Sequence, residues 1–256
     1  MPARTLSRRS VLAAGLLAAG LHATSTRAQA KLEKPRLSLA VDAEAALYHL
    51  PLTLADQLGY FRAEGLEVEI NDPLGATRSP LALPGSTPDV FAGAFDSTIH
   101  AQARGQWLQA FVLQGRAPQI ALGISTHSMP HYQSLADLRG KRIGVAALGA
   151  PSHMVANVVL ARAGVSPNEV QFLGIGSAAG ALWALRSGQV DAICNADPVM
   201  GMLEQKSDIR IVSDTRSLKG AQDLFGGTMP AACLYAPLEF IKKHPYTVQA
   251  LSLIHI

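Results

Sequence analysis

The sequence predicts an α/β protein built from two similar halves, each a parallel sheet with helices on both faces. Short apolar runs alternate with helix-like segments along the chain, as they do in proteins with parallel sheets. The segment from Gly176 to Leu203 shows the unit, with a small-residue helix over 178–186, Gly188 just past its end and an apolar strand over 190–194. The segment 81–103 repeats this order, which indicates one plan used twice.

The elements of the first half are apolar runs separated by glycine, proline and charged residues. Gly59 ends a predicted helix over 50–58, because glycine is favoured just past a helix C-terminus, and residues 60–65 are a predicted turn. A second helix is predicted from Phe95 to Ala103, with Asp96 as a plausible N-cap. The predicted strands are 37–41, 66–70, 89–94, 108–113 and 119–125.

The second half has the same order of elements. A helix over 152–163 is closed by Gly164. Another helix opens at Asp197 and Pro198, where aspartate is a favoured N-cap and proline suits the first helical position. In the first half, Asp96 occupies the position that corresponds to Asp197. The predicted strands are 142–146, 170–175, 190–194, 209–213 and 231–235.

The first thirty residues are predicted to be an export signal and not part of the fold. Ser7-Arg8-Arg9-Ser10-Val11-Leu12 resembles a twin-arginine motif, and Ala28-Gln29-Ala30 matches a cleavage site. The apolar run at 11–21 is shorter than the roughly 20 residues that span a bilayer, which disfavours an uncleaved anchor. We therefore expect cleavage after Ala30 and a periplasmic mature protein.

The charge balance argues against nucleic acid as a partner. The chain has 22 Lys and Arg against 19 Asp and Glu. Four of the arginines lie in residues 1–30, which hold no acid, so the remaining 226 residues carry 18 basic and 19 acidic groups. A net charge of −1 leaves no excess of cations to bind a phosphate backbone.

The two cysteines, Cys194 and Cys233, both lie inside predicted apolar strands. In an oxidising compartment they could form a disulfide. Two buried free thiols are the favoured alternative, because a free cysteine packs as a small hydrophobic residue.

Four segments together resemble a known family. Residues 51–70, PLTLADQLGYFRAEGLEVEI, combine a helix, Gly-Tyr-Phe, a charged pair, Gly-Leu and an alternating strand. Residues 138–145 (LRGKRIGV), 185–192 (LRSGQVDA) and 240–245 (FIKKHP) follow in order. They are similar to segments of the periplasmic solute-binding proteins of ABC importers, in the nitrate, sulfonate, taurine and thiamine-precursor subgroup. The resemblance covers about residues 35 to 250.

The resemblance implies a type II periplasmic-binding-protein fold, with two parallel-sheet lobes around a hinged cleft and a fifth strand from each half that crosses into the opposite lobe. It divides the chain into a signal peptide (1–30), lobe one (31–118), lobe two (119–230) and a return to lobe one (231–256). Family members continue for several more helices, so we expect a C-terminally truncated chain.

Ligands of parallel α/β sheets bind beyond the carboxyl ends of the strands, where loops meet helix N-termini. Four junctions meet this description: residues 42–51, 95–98, 149–153 and 195–198. The candidate ligand-binding residues in these junctions and in two neighbouring turns are Tyr48, His49, Phe95, Asp96, Ser97, Gly149, Ser152, His153, Ser177, Asn195, Asp197 and Thr228.

The charges near these junctions bear on the ligand. Helix N-termini suit an anionic group. None of the four junctions contains Arg or Lys, however, and four acidic residues lie in or beside them: Asp42, Glu44, Asp96 and Asp197. A ligand with an amine or a heteroaromatic ring, stacked on Tyr48 or Phe95, fits this pattern better than nitrate or sulfate.

Several candidates also have a structural explanation. Asp96 and Asp197 are favoured as N-caps, and a surface or satisfied histidine is the commoner state for His49 and His153.

Trp183 and residues 226–228 also have a structural explanation. Trp183, on an apolar helix face, is predicted to be core and not a contact to ligand. Residues 226–228, Gly-Gly-Thr, are either a hinge or a backbone contact to ligand, since both need small residues.

Sequence motifs argue against the common catalytic classes. The chain has no Gly-x-Ser-x-Gly, no phosphate-binding loop ending in Lys-Ser/Thr and no His-Glu-x-x-His, and its eight histidines lack metal-ligand spacing. We expect no cofactor and no metal. The resemblance implies a monomeric exported protein that delivers a small organic ligand to an ABC importer permease in the inner membrane.

Two alternatives remain at this point. One is an enzyme on the same fold, resembling the thiamine-pyrimidine synthases or the menaquinone-pathway enzymes. The synthases carry a Cys-rich cluster that this chain lacks. The other is a ligand-binding sensor domain.

Overall fold

The computed structural model describes residues 31–41, 49–71 and 88–253. Residues 1–31 and 32–256 separate as two units, and every helix and strand given below belongs to the second. The predicted export signal, the candidate Tyr48 and the acidic residues Asp42 and Glu44 lie outside the described residues.

A strand is present at each of the ten predicted positions, displaced by two residues at most. The strands are β1 (Arg36–Val41), β2 (Glu67–Asn71), β3 (Val90–Ala94), β4 (Leu108–Leu113), β5 (Ile120–Ser125), β6 (Arg142–Val145), β7 (Gln171–Gly174), β8 (Ala192–Ala196), β9 (Ile209–Asp214) and β10 (Ala232–Pro237). The helices are α1 (Leu50–Gln57), α2 (Tyr60–Ala63), α3 (Asp96–Ala103), α4 (Pro151–Arg162), α5 (Ala179–Arg186), α6 (Val199–Gln205), α7 (Leu218–Phe225), α8 (Leu238–Lys243) and α9 (Pro245–Leu253).

These strands form two five-stranded sheets of matching order. Sheet A runs β2-β1-β3-β10-β4 and sheet B runs β7-β6-β8-β5-β9. In each sheet the first three strands are parallel, and the fourth pairs antiparallel with both neighbours. The predicted α/β class is confirmed, with one refinement. The sheets are mixed and not purely parallel, because the fourth strand of each comes from the other half of the sequence.

Two segments carry the chain between the sheets. The first crossing, residues 114–119, leads from β4 in sheet A to β5 in sheet B. The second crossing, residues 215–231, contains α7 and leads from β9 back to β10 in sheet A. This is the exchange of strands that the family resemblance implies. The residue boundaries given above for the two lobes remain a prediction.

Both crossings lie at the carboxyl ends of the parallel strands. The first residue of β10 pairs with the last residue of β3, Ala232 with Ala94. The first residue of β5 likewise pairs with the last residue of β8, Ile120 with Ala196. The carboxyl edges of the two sheets are therefore the edges that the crossings connect, and in such sheets these edges bind ligands.

Apolar side chains fill both faces of each sheet. Consecutive strand residues belong to different buried clusters, Leu39 and Ala40 in sheet A and Ala121 and Leu122 in sheet B. This alternation follows from the two-residue period of a strand. It explains why short apolar runs predicted these strands well.

The two cysteines are buried in different sheets and do not form a disulfide, as expected. Cys194 lies in β8 of sheet B and Cys233 in β10 of sheet A. Burial raises the pKa of the Cys194 thiol well above its ordinary value. It is therefore a packing residue and not a reactive nucleophile.

Each sheet has an equivalent polar contact at the amino end of its middle strand. Asp89 precedes β3, and its carboxylate accepts hydrogen bonds from the Ser38 backbone N–H (3.1 Å) and the Lys34 ammonium (2.5 Å). Asp191 precedes β8, and its carboxylate accepts from the Arg142 backbone N–H (3.0 Å) and guanidinium (2.7 and 3.0 Å). Burial opposes ionisation of Asp191, but the bonds from Arg142 lower its pKa overall.

Three local predictions are wrong. The predicted turn at 60–65 contains the short helix α2, flanked by Gly59 and Gly65 at positive φ. Trp183 is not core: 65% of it is exposed, because the buried stripe of α5 is formed by Ala181, Ala184 and Leu185. The N-cap assignments of α3 and α6 are each one residue away from the observed caps, as described below.

Within the described ranges, no helix is both long enough and apolar enough to cross a membrane.

Candidate functional site

Three turns at the carboxyl edge of sheet B are tied into one hydrogen-bonded unit. The Asn195 side-chain amide, in β8, donates to the Gly176 carbonyl after β7 (2.9 Å). The Gly176 N–H donates to the Ala146 carbonyl after β6 (3.0 Å), and the Ala146 N–H donates to the Ser152 hydroxyl in α4 (3.0 Å). Asn195 and Ser152 are 1% and 4% exposed. These two candidate residues therefore hold the three turns in register.

The turn before α4 also positions His153. Gly149 has a φ of +84°, in the left-handed region that favours glycine, and its N–H donates to His153 Nδ1 (2.9 Å). The His153 ring packs edge-on against Phe172, with 4.4 Å between ring centroids. Burial lowers the pKa of His153, which favours the neutral imidazole that Nδ1 needs in order to accept. The proton then lies on Nε2, and this atom can donate to a ligand.

Asp197 is held on two sides. Its Oδ1 accepts a hydrogen bond from the Gly201 N–H (2.8 Å) and lies 3.6 Å from Nη1 of Arg216. Pro198 occupies the N-cap position of α6, so Asp197 precedes the cap that it was predicted to be. The carboxylate nevertheless satisfies an N–H of the first turn, which is the physical purpose of a capping residue.

The corresponding position in sheet A is also displaced. Phe95 is the N-cap of α3, and Asp96 is its first helical residue, 5% exposed. Counted from the ends of β3 and β8, Phe95 and not Asp96 matches Asp197. A carboxylate in the first turn is still favourable, since the helix N-terminus carries partial positive charge.

Phe95 connects α3 to the second crossing. Its backbone N–H donates to the Ala231 carbonyl (2.7 Å), and its carbonyl accepts from the Thr98 hydroxyl (2.7 Å). Thr98 is buried and Ser97 is half-buried on the same helical turn. The residues from 95 to 98 therefore lie together at the carboxyl edge of sheet A, beside a crossing.

The structure does not bring all the candidates together. Ser177 follows Gly176 and belongs with the turns of sheet B, where it is half-buried. Thr228 is exposed in the second crossing. His49 is 1% exposed and lines a cavity of about 190 Å³ beside α1, together with Thr53, Asp56 and residues of β1 and β2.

A second cavity of about 470 Å³ lies between α2 and the strands β1 and β2. Among the described residues, the lining of these two cavities includes none from either crossing. Both cavities are therefore away from the crossings. The first is nevertheless lined by Val41, the last residue of β1, and by Ile70 near the end of β2, so His49 lies at the carboxyl edge of sheet A, apart from the candidates beside the crossings.

Arg216 is a functional candidate that the sequence-based site omitted. Its guanidinium forms a two-point ion pair with Asp214 (3.0 and 2.7 Å) and donates to Glu204 (3.1 Å). The bonds with Asp214 raise the pKa of Arg216 and lower the pKa of Asp214. With Asp197 included, one guanidinium contacts three carboxylates, so the group stays net negative.

Sequence spacing did not reveal this contact. Arg216 follows β9, an edge strand, whereas the four predicted junctions follow other strands. Its approach to Asp197 exists only because β5 from the other half of the sequence lies between β8 and β9. The Asp-x-Arg sequence at residues 214–216 was the available signal for a functional arginine, since the Arg216 N–H and guanidinium both donate to the Asp214 carboxylate.

No group of three or more His, Cys, Asp or Glu side chains in residues 31–41, 49–71 and 88–253 is placed to hold a metal ion.

Comparison with known proteins agrees with the fold. A family model described as NMT1/THI5 like matches residues 46–252. The chain is 48% identical to a Bordetella bronchiseptica RB50 protein of known structure, with a TM-score of 0.80 over 88% of this chain and 71% of that one. The alkanesulfonate-binding protein SsuA from Xanthomonas axonopodis pv. citri, solved with MOPS bound, is 23% identical, with a TM-score of 0.63 over 88% and 73%. The last likeness concerns the fold alone, and it matches the type II periplasmic-binding-protein fold.

One curated relative is an enzyme. The 4-amino-5-hydroxymethyl-2-methylpyrimidine phosphate synthase of Schizosaccharomyces pombe is 26% identical over an alignment of 231 residues that covers 86% of this chain and 64% of that protein. The chain thus spans less than two thirds of the length of this relative.

Proposed function

The chain belongs to the NMT1/THI5-like family, and from that premise we propose that it is an exported solute-binding protein. It captures a small organic ligand between two lobes and delivers it to the permease of an ABC importer in the inner membrane. The observation that carries this proposal is topological. Both crossings join the carboxyl edges of the two sheets, so the ligand-binding edges lie on either side of a two-segment connection.

The connection has the form that a hinge requires. The Ala231 N–H of the second crossing donates to the Gly115 carbonyl of the first (2.8 Å), and the Gly115 N–H donates to the Ala232 carbonyl (3.0 Å). Two adjacent segments allow bending about one axis while keeping the lobes aligned. A ligand drives closure only by the difference in its affinity for the open and closed arrangements.

The ligand class follows from the charges at the edge of sheet B. The guanidinium of Arg216 there is already paired with carboxylates, and Asp197 remains beside the helix start. This favours a ligand with an amine or a heteroaromatic ring over a bare oxyanion. The MOPS complex of SsuA and the pyrimidine chemistry of the S. pombe relative name two compound classes to test, sulfonates with a zwitterionic or amine part and substituted pyrimidines.

The proposed contacts are distributed over both edges. His153 Nε2, Ser177 and Asp197 belong to sheet B, and the start of α3 from Phe95 to Ser97 belongs to sheet A. Asn195 and Ser152 support the turns, and their hydrogen bonds orient the backbone N–H groups beside them. Tyr48, His49, Gly149 and Thr228 complete the set proposed from the sequence.

Catalysis is the second candidate function, and the likeness to the S. pombe synthase favours it. Binding is preferred because the titratable groups at the described edges are engaged with one another and with backbone. Incubating the full chain with a bound ligand and analysing it by mass spectrometry separates the two: an unchanged ligand supports transport, and a chemically altered one supports catalysis.

A ligand screen tests the proposal directly. The full chain is melted in the presence of taurine, MOPS, other sulfonates, nitrate, substituted pyrimidines and aromatic acids. A ligand that binds only the folded state at a hundred times its dissociation constant stabilises it by about 2.7 kcal/mol, which raises the melting temperature by several degrees. A chain that melts cooperatively and responds to none of these compounds would contradict the binding role.

Variants of Asp197 then locate the site. Asp197→Ala removes both the charge and the bond to the Gly201 N–H, whereas Asp197→Asn removes the charge and keeps an acceptor. We expect both to weaken binding of an amine-bearing ligand, with Asp197→Asn close to wild-type stability. Lower stability of the alanine variant with unchanged affinity would show that Asp197 is a capping residue only. Asp223→Ala, exposed on α7, is the surface control.

Export belongs to the same proposal. N-terminal sequencing of the protein recovered from the periplasm tests cleavage after Ala30, and recovery of the uncleaved chain in the cytoplasm would contradict it.

A further inference from the structure

Gln114 carries a buried amide that has no partner in the described part of the chain. Its side-chain nitrogen and oxygen are both shielded from solvent, and neither makes a hydrogen bond there. A buried donor or acceptor without a partner costs free energy, so native proteins keep few of them. In Gln114 both the donor and the acceptor of one amide are unpaired.

The position of Gln114 connects it to the proposed ligand site. Its backbone N–H and that of Gly115 both donate to the Ala232 carbonyl (2.9 and 3.0 Å). The Gly115 carbonyl accepts from Ala231, whose own carbonyl accepts from the Phe95 N–H (2.8 and 2.7 Å). Gln114 therefore lies where the first crossing, the second crossing and the start of α3 meet.

The other end of the first crossing is also unusual. Gln119 has a φ of +61°, a conformation that a non-glycine residue seldom adopts. Its Nε2 lies 3.9 Å from the position that a Cβ on Gly115 would occupy, and such a Cβ would be 3.0 Å from the Ala231 Cβ. The two crossings are thus in close contact at a glycine. Strained backbone of this kind is concentrated at ligand sites and moving segments.

We propose that Gln114 determines which ligands this protein accepts, and that it selects a ligand with a hydrogen-bond donor beside an acceptor. The proposal rests on the solute-binding function proposed above. A primary amide presents an N–H donor and a carbonyl acceptor side by side, so only a complementary pair satisfies both atoms. Glutamine pairs in this way with the ring nitrogen and amino group of adenine. Carboxamides and amino-substituted nitrogen heterocycles carry such a pair, whereas a sulfonate group, an ionised carboxylate and nitrate offer acceptors only.

The unpaired amide also explains why a ligand would be needed for the two lobes to close. Solvent does not reach the amide in the described arrangement, so closure around a ligand without a complementary donor and acceptor would leave both atoms unpaired. Opening about the crossings lets water pair with them, and closure on a complementary ligand pairs them again. This gives the ligand different affinities for the two arrangements, as closure requires.

The test uses two pairs of compounds that differ in the donor alone. They are 4-amino-2-methylpyrimidine against 2,4-dimethylpyrimidine, and nicotinamide against 3-acetylpyridine. Benzenesulfonate is the compound with acceptors only. Affinities are measured by calorimetry on the full chain as wild type, Gln114→Met and Gln109→Met. Methionine matches glutamine in shape and removes both polar atoms, and Gln109 is an exposed glutamine on β4, the strand that leads into the first crossing.

We expect the wild type and Gln109→Met to bind the donor-bearing member of at least one pair about tenfold to a hundredfold more tightly. Gln114→Met should bind both members of that pair equally, and without ligand it should melt above the wild type because the unpaired amide is gone. Gln114→Ala gives the same comparison of affinities if the methionine variant does not fold.

Four results would overturn the inference. One is a wild type that does not distinguish the members of either pair. Another is a Gln114→Met protein that keeps the wild-type preference. The third is binding of benzenesulfonate, equal in wild type and variant, without binding of any donor-bearing compound; that result leaves the solute-binding function standing. A chain that binds none of the five compounds also overturns it, and the wider screen above decides the solute-binding function separately.

Discussion

Sheets A and B have the same strand order but are stabilised by different polar contacts. At the carboxyl edge of sheet B, the Asn195 and Ser152 side chains link three successive turns, all within one stretch of sequence. The described contacts at the same edge of sheet A reach far along the chain, as from Phe95 to Ala231. The duplicated plan therefore fixed the order of strands, while each half acquired its own polar contacts.

Sheet A also depends on a long-range contact at its other end. The Glu33 carboxylate accepts from the Tyr246 N–H (3.2 Å), the Thr247 N–H (3.0 Å) and the Thr247 hydroxyl (3.1 Å) at the start of α9. The Lys34 N–H donates to the same hydroxyl (3.1 Å). An N-terminal segment thus caps a helix more than two hundred residues away, and the stability of sheet A should respond to both segments.

The largest expected effect tests the close approach of the first turn of α7, in the second crossing, to the end of β9. A Cβ on Gly220 would lie 1.7 Å from the Asp214 carbonyl oxygen, so Gly220→Ala must displace α7 or β9. We expect the free energy of unfolding to fall by about 3 kcal/mol, as for other overpacked sites. Urea denaturation measures it. Gly227→Ala in the same crossing meets nothing within 4 Å and should change stability by less than about 0.5 kcal/mol. Equal effects of the two would show that the turn adapts.

The paired aspartates allow a direct comparison of the two sheets. Asp191 accepts three bonds from Arg142, and Asp89 accepts one each from Ser38 and Lys34. We expect Asp191→Ala to cost about 2 kcal/mol and Asp89→Ala about 1 kcal/mol in free energy of unfolding, because fewer groups lose a partner in the second. The midpoints of urea denaturation measure both. A larger loss for Asp89→Ala would show that the aspartate contact of sheet A contributes more to stability than the contact of sheet B.

A smaller effect with a distinct pH dependence is expected at Glu33. Burial would raise the pKa of Glu33, but hydrogen bonds from its own backbone, Thr247 and Tyr246 hold it below the usual 4.5. A carboxylate with a lowered pKa contributes its stability above the usual value and loses it as the pH falls through the lowered one. Glu33→Gln should therefore melt below wild type at pH 7, and the difference should shrink below about pH 4.5. A difference that is constant with pH would exclude the carboxylate as its cause.

The smallest expected effect concerns His153. Burial lowers its pKa from 6.5, so the neutral ring is favoured in the folded protein and protonation opposes folding. As with a carboxylate whose pKa is lowered, the stability contributed by neutral His153 is complete above pH 6.5. It is lost as the pH falls through the lower pKa of the folded protein. Thermal melts from pH 7.5 to 5 should show a steeper decline for wild type than for His153→Gln. Parallel profiles would show that His153 does not titrate in this range.

The positions of the strands were predictable because they depend on local apolar periodicity. Each strand is a short run whose alternate residues face different clusters, and the crossing of strands between the sheets was implied by the resemblance that four segments carry together. Helices α7 to α9 were not predicted as separate elements. Trp183 was misplaced because a helix of eight residues can bury a stripe of alanines and expose a larger apolar side chain.

The site was less predictable because its contacts join residues that are distant in sequence and meet only in the folded protein. Asp197 and Arg216 are separated in sequence, and the intervening strand β5 comes from the first half of the chain. The bond from Asn195 to the Gly176 carbonyl likewise joins turns that no spacing rule connects. The residue types at the strand ends could be chosen from the sequence, but their partners could not. Which of the twelve candidates contact a ligand remains a prediction.

The exchange of strands has a consequence for synthesis of the chain. All strands of sheet B are present once residue 214 has been made, because they lie between residues 120 and 214. Sheet A has β1 to β4 by residue 113, but its fourth position stays empty until residue 237. Until then β3 and β4 lack the strand that pairs with both, and unpaired strand edges invite association with other chains. A ribosome therefore completes the second sheet first, and the half of the protein that begins the sequence is the half that is finished last.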